Sequence, residues 1–179
     1  MICGCVLIKI CHMENVKAEE IVDLLDETGK KLGKIKKSLA HQNGAWHRVV
    51  HIWILNSKGQ LLIQKRSKEK SFFPNVWDVT VGGHVGLGEA SIVSCRREME
   101  EELGLKLNEN KFEFLFSFAD QMTYKNMVVN EIADVYLVKM DLEIKDLKFQ
   151  KEEVSTAKWI SKEEFFERCF SKDFVPHIN

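Results

Sequence analysis

Apolar and polar positions alternate with period two in several short runs of this chain and follow a helical period in only two. Ile21–Asp26 and Lys31–Lys36 flank Glu27-Thr28-Gly29-Lys30, a turn-like tetrad, so the pattern predicts a small hairpin near the start. A polar stretch containing Asn43-Gly44 follows. Val49–Leu55 and Leu61–Arg66, joined by Asn56-Ser57-Lys58-Gly59-Gln60, predict a second hairpin. Trp77–Val81 predicts a short strand that stops at Gly82-Gly83, and Phe112–Phe118, Ile132–Val138 and Thr156–Ile160 predict three more. Ala90–Leu103 carries the long helical pattern, closed by Gly104 where a glycine ends a helix. Ser161-x-x-Glu164 is a capping box for a last helix whose apolar face is Phe165, Phe166 and Cys169–Phe170. Strands interleaved with two helices predict a mixed α/β fold.

Composition narrows the class. With 179 residues, 45% hydrophobic and 30% charged, the chain is expected to form one globular domain with a real core. No apolar run approaches the roughly 18–20 residues of a membrane span. Met1–Ile10 lacks a basic start and a cleavage site for export. Residues 1–12 are therefore expected to be an extension ahead of Met13-Glu14-Asn15, with residues 1–19 outside the core and 20–179 forming the domain. Cysteines at 3, 5, 11, 95 and 169 include no C-x-x-C pair, which points to a reducing cytoplasm; Cys3-Gly-Cys5 alone makes a weak metal site.

The formal net charge of −1 hides an asymmetry. From Lys30 to Lys70 eleven basic residues face the single acid Glu69, a balance of +10 that leaves −11 for the rest. That stretch either steers an anionic substrate or serves solubility and strand-edge protection. No aromatic-stacking or RNP-type motif accompanies it, so no nucleic-acid polymer is expected as partner. Within it, Arg66 is a candidate phosphate ligand through its planar fork.

The candidate chemistry lies on the long helix. Glu98, Glu101 and Glu102 stand at i, i+3 and i+4 and project from one face, beside an apolar stripe of Ile92, Met99 and Leu103. They occupy the half of the helix where the macrodipole is negative, each disfavoured by roughly 0.3–1 kcal/mol. A divalent cation resolves the conflict, and hard oxygen donors suit Mg²⁺, with Mn²⁺ as a second option. Magnesium shared with carboxylates implies a small-molecule substrate bearing phosphates. A solvated charged face is the other reading of the same run.

The segment Gly83–Leu105 resembles the Nudix box, G-x5-E-x7-R-E-U-x-E-E-x-G-U, with Gly83, Glu89, Arg97, Glu98, Met99, Glu101, Glu102, Gly104 and Leu105 filling every specified position. The resemblance implies an α/β/α sandwich around a mixed sheet, and Mg²⁺-dependent hydrolysis of a diphosphate linked to another moiety. It further implies that Glu98, Glu101 and Glu102 are metal ligands or the base that activates water, that the Gly83 carbonyl binds metal, and that Glu89 pairs with Arg97 to hold the loop against the helix.

Outside the box, from about Ile21 to Phe166, the chain is similar to the type I isopentenyl-diphosphate isomerases. The markers are Trp46-His47-Arg48, Arg66-Ser67-Lys68, Phe73-Pro74-Asn75-Val76-Trp77-Asp78, Gly83-His84 and Asn130-Glu131. That likeness implies a metal site near His41, His47 and His84 with Glu131 as acid partner. The histidines also read as packed residues beside the site, with His47 and His84 as substrate contacts, and Glu131 either as a catalytic acid or as an exposed strand-edge residue. His51 reads as structural, and His12 and His177 carry no signal. Where the isomerases need a cysteine for proton transfer this chain has Gly82, so hydrolysis is expected over isomerisation. A ligand sensor on the same fold is a further alternative.

Overall fold

The computed structural model describes residues 19–177, so Cys3, Cys5, Cys11, His12 and all but the last residue of the expected extension over residues 1–19 lie outside the described residues. Strands β1 (Ile21–Leu25) and β2 (Lys31–Lys36) pair antiparallel as the small hairpin predicted from the turn tetrad, with Gly29 at φ 83° in the left-handed region. Helix α1 (Lys37–Asn43) follows, ending on Gly44 in the left-handed conformation. It corrects the reading of this stretch as a polar connection. Only Ala40 of its residues is buried and its start has no side-chain cap, so no apolar stripe announces it.

The main sheet holds β3 (His47–Leu55), β4 (Leu61–Arg66), β5 (Trp77–Asp78), β6 (Val81–His84), β7 (Phe112–Tyr124), β8 (Met127–Lys139) and β9 (Val154–Ile160). The long helix is α2 (Ser91–Leu103) and the last is α3 (Lys162–Arg168), capped by Ser161 Oγ accepting from Glu164 N–H at 3.0 Å. Three helices and a mixed sheet replace the two helices read from periodicity. β3 runs parallel to β8 from His47↔Glu131 to Leu55↔Lys139, and antiparallel to β6 and β4 on its other side.

Alternation along β3 builds two layers. Val50, Ile52 and Ile54 enter the core that holds Cys95, Met99 and Leu103 of α2. Trp53 points the other way and meets Phe165 of α3 edge-on at 5.0 Å. Burying Met99 or Leu103, each at most 1% exposed, stabilises the α2 contact by about 1.5–3 kcal/mol. Helices thus cover both faces of a mixed sheet.

The predicted strand Trp77–Val81 is two strands instead. β5 pairs with β4, then the chain steps across to pair β6 with β3. Thr80 bridges the step, its hydroxyl accepting from Ile54 N–H at 3.0 Å and donating to the Leu62 carbonyl. The sheet splits at this point, and a cavity opens there.

Candidate active site

The cavity has a volume of about 860 Å³ and draws its lining from both sides of the split, including Glu98 and Glu102 from α2 and His51 and Glu131 from β3 and β8. Its acid side starts at the beginning of α2. Ala90 offers no side-chain cap, but the Glu89 carboxylate accepts from Gly86 N–H at 3.1 Å and Ser94 Oγ at 2.6 Å. Arg97 ties the helix to β6: Nη2 donates to the His84 carbonyl at 2.9 Å and lies 3.6 Å from Glu89, while Nη1 donates to Glu98 at 2.6 Å and sits 3.5 Å from Glu101. The tighter partner of Arg97 is therefore Glu98 rather than Glu89.

Gly83 lies against Glu98 so closely that a Cβ there would overlap the carboxylate carbon. Only glycine lets the carboxylate rest on the β6 backbone. Along the acid face exposure grades sharply: Glu101 is half exposed, Glu98 mostly covered, and Glu102 buried, accepting one hydrogen bond from Gln64 Nε2 at 3.1 Å. Burial, then the Glu98 charge, pushes the Glu102 carboxyl well above the usual range. Burial also raises Glu98, opposed by Arg97. Glu102 thus has no hydrogen-bonded cation and Glu98, one turn away, has Arg97, which Glu89 and Glu101 share; this surplus of acid suits a divalent cation with hard oxygen donors.

Across the cavity, His41, His47 and His84 come together, with one nitrogen of each within 4.8 Å of the others. His41 Nε2 lies 2.9 Å from His84 Nε2, and the His47 and His84 rings stack at 5.1 Å. His47 Nδ1 donates to the Ala45 carbonyl at 2.9 Å, and its buried Nε2 has no hydrogen-bond partner. Burial holds His41 down to about 4 and His84 well below its usual value, so these rings are neutral near pH 7 and able to ligate. Glu131 sits 3.7 Å from that His47 nitrogen. It is 8% exposed and inside β8, between β3 and β7, not on an exposed strand edge. Burial opposes its charge, but His47 beside it prevails and its pKa is lowered.

Arg66 lines the cavity with its donors engaged: Nε to the Phe73 carbonyl at 3.0 Å, Nη2 to the Phe72 carbonyl at 3.0 Å and Nη1 to Asp78 at 2.8 Å. Its fork shapes a turn. The residue that sequence reasoning passed over is His177, held between Asp78 at 2.7 Å and Asp120 at 3.0 Å. Its partners are 99 and 57 positions away in the chain, so no local pattern marks it.

With three glutamates on one helix over a glycine strand at a split in a mixed sheet, the chain also matches a known domain family. The NUDIX domain profile fits residues 45–177. The chain belongs to the NUDIX domain family. It is 38% identical over 168 residues to Nudix hydrolase 3 of Arabidopsis thaliana, covering 89% of this chain but only 22% of that longer protein. An uncharacterized Nudix hydrolase of Listeria monocytogenes is 36% identical over 159 residues, covering 87% of this chain and 88% of the relative. Among solved structures, the crystal structure of DR0079 from Deinococcus radiodurans superposes with a TM-score of 0.69 at 29% identity, over 86% of this chain and 91% of that one. This chain is a Nudix hydrolase, and no described helix is long and apolar enough to cross a membrane.

Proposed function

We propose that this Nudix hydrolase cleaves the diphosphate bond of a nucleoside di- or triphosphate, or of a similar X-linked diphosphate, with Mg²⁺. The observation that carries the reading is Glu102, buried with the neutral Gln64 amide as its hydrogen-bond donor, one turn from Glu98, which rests on Gly83 and has Arg97 as its bonded cation. These two groups, the Gly83 carbonyl and Glu101 at the rim would hold the cation. A divalent cation there neutralises charge on phosphoryl oxygens and acidifies water near them.

The chain's own residues do the remaining work. Arg97 fixes the Glu98 carboxylate and, through the His84 carbonyl, its distance from β6. Glu131, ionised at neutral pH, faces the cavity from the opposite wall and takes the proton of the attacking water. An O–P bond forms to that water as the anhydride P–O bond breaks, and the charge leaves on the departing phosphate oxygen. His47 and His84, with His41, bind the substrate side or a second metal ion through their ring nitrogens. Arg66 contributes positive charge near the phosphates while holding its turn. The free thiols Cys95 and Cys169 fit a reducing, cytoplasmic setting.

Isomerisation is disfavoured at Gly82. A Cβ at that position would meet Val79, the Val50 carbonyl and His51 at ordinary distances of 3.8–4.0 Å. Packing therefore does not exclude a Cβ at this position.

The test is a phosphate-release screen over nucleoside di- and triphosphates, dinucleotides, nucleotide sugars, coenzyme A and prenyl diphosphates, run with Mg²⁺ and with EDTA. Metal-dependent release that Glu102→Gln abolishes is expected. Release untouched by that substitution would refute the site, and isopentenyl diphosphate conversion without release would favour the isomerase.

A further inference from the structure

After α3 the chain returns to the sheet at β5. Trp77 N–H donates to the Asp173 carbonyl at 2.8 Å, and Val175 N–H donates to the Trp77 carbonyl at 2.9 Å. This strip carries Val175 into an apolar wall with Met122 and Val129 and sets His177 across one end of the cavity. Nε2 of His177 lies 2.7 Å from Asp78 and Nδ1 lies 3.0 Å from Asp120. Ionised carboxylates only accept hydrogen bonds, so both ring nitrogens donate and the ring is an imidazolium. Burial alone would lower its pKa; Asp78 and then Asp120 overcome this and push it up to about 10. His51 meets the ring edge-on at 4.5 Å and is itself neutral, burial holding it down to about 4. Arg66 stands behind Asp78, and Glu131 lies opposite Asp120 in the β7–β8 register.

The other end of this network is a turn that needs holding. Phe73 at φ 45° and Asn75 at φ 62° are non-glycine residues in the left-handed region, each costing about 1 kcal/mol or more. Arg66 clasps the Phe72 and Phe73 carbonyls, and Asp78 fixes Arg66. Phe72 in turn packs on His41 at 4.8 Å between ring centres. A continuous chain of contacts runs from His177 through Asp78 and Arg66 to the histidine cluster.

We propose that His177 is a positioning residue for the substrate cavity: it cross-links β5 to β7 and, through Asp78, fixes the Arg66 guanidinium that holds the Phe72–Phe73 turn against His41. The inference rests on the hydrolase reading of this cavity, but the decisive measurements read the cross-link without turnover, so the two can fail separately. Arg66 and His177 answer Asp78 and Asp120 charge for charge, so a metal ion on the His51, Asp120 and His177 group would have to displace the ring protons of His177.

The experiment is ¹⁵N–¹H NMR on the full chain near pH 8. Both His177 ring nitrogens should carry protons, and Arg66 Nε–H should exchange slowly with water. In His177→Ala, Arg66 Nε–H and the backbone of residues 72–75 should exchange about tenfold faster or more, with millimolar imidazole restoring protection. Should that variant fail to fold, Asp120→Asn keeps the shape and removes one acceptor, and should give the same loss in smaller degree. On the substrate found by the screen, His177→Ala should raise KM about tenfold while kcat stays within about threefold. A bare ring nitrogen on His177, or unchanged Arg66 exchange in the variant, overturns the proposal. Loss of the His177 proton signals on adding Zn²⁺ overturns it too, by showing a metal site in its place.

Discussion

At one end of the cavity Arg66 and His177 alternate with Asp78 and Asp120, and each charge meets its opposite within 3.0 Å. At the other end lie Glu98, mostly covered, and Glu102, buried; among the described residues Arg97 is the cation bonded to Glu98, and Gln64 is the hydrogen-bond donor to Glu102. Among the described residues, the buried side-chain atoms without a hydrogen bond are Gln64 Oε1 on the residue that donates to Glu102, His41 Nδ1 and His47 Nε2 in the histidine cluster, and Asp23 Oδ1 in the hairpin; none lies in the first cluster. Both regions are buried and polar, so burial alone does not separate machinery from scaffold. Charge balance does: a balanced cluster holds the fold, and an unbalanced one awaits a ligand to complete it.

The largest effect expected from breaking this contrast is at Glu102. Glu102→Gln should lower metal-dependent turnover by about a hundredfold or more, measured as phosphate release. The same change should raise the melting temperature in EDTA. An acid whose folded pKa lies above its usual 4.5 makes folding less favourable as pH rises through that interval, so the gain should appear near neutrality and vanish below about pH 4.5. A variant less stable than the parent in EDTA would show that the carboxylate is compensated.

Gly83→Ala comes next. Its Cβ would push the Glu98 carboxylate aside, and turnover should fall roughly ten- to hundredfold. Circular dichroism should show the fold retained, because the displaced group is the end of a side chain.

The balanced cluster should answer to alkali instead. A histidine raised from 6.5 to about 10 contributes stability that is complete below 6.5 and lost as pH rises through about 10. Between about pH 8 and about pH 11 the parent should lose roughly 5–10 °C more in Tm than His177→Ala. Equal losses would place the titration elsewhere. The smallest effect belongs to Gly104, at φ 73° with a built Cβ 2.8 Å from Lys148 Cβ, where Gly104→Ala should cost about 1–2 kcal/mol in denaturant unfolding.

These two clusters differ just as much in how far they could be read from the chain. The acid cluster was legible because its residues sit at i, i+3 and i+4 of one helix, ended by a glycine in the conformation expected of it. The balanced cluster joins residues 66, 78, 120 and 177, which no short-range pattern relates. The basic stretch shows the same limit. Its +10 suggested a field for anions, yet Lys31, Lys36, Lys37 and Lys70 pair with Asp23, Glu19, Glu20 and Glu153, and Arg48 with Asp134. Much of that charge is answered by acids lying outside the stretch, on both sides of it.

By itself the sequence determined the α2 helix, its acid face, the strand alternation that sets the core, and so the family. These follow from local geometry, in which the backbone period decides which side chains share a face. Tertiary structure alone decided that Glu131 is buried in a central strand and that Arg66 clasps a turn. It also decided that His177 closes a cavity wall. Burial and charge pairing are properties of neighbours in space, and here those neighbours lie as far as 99 residues apart in the chain.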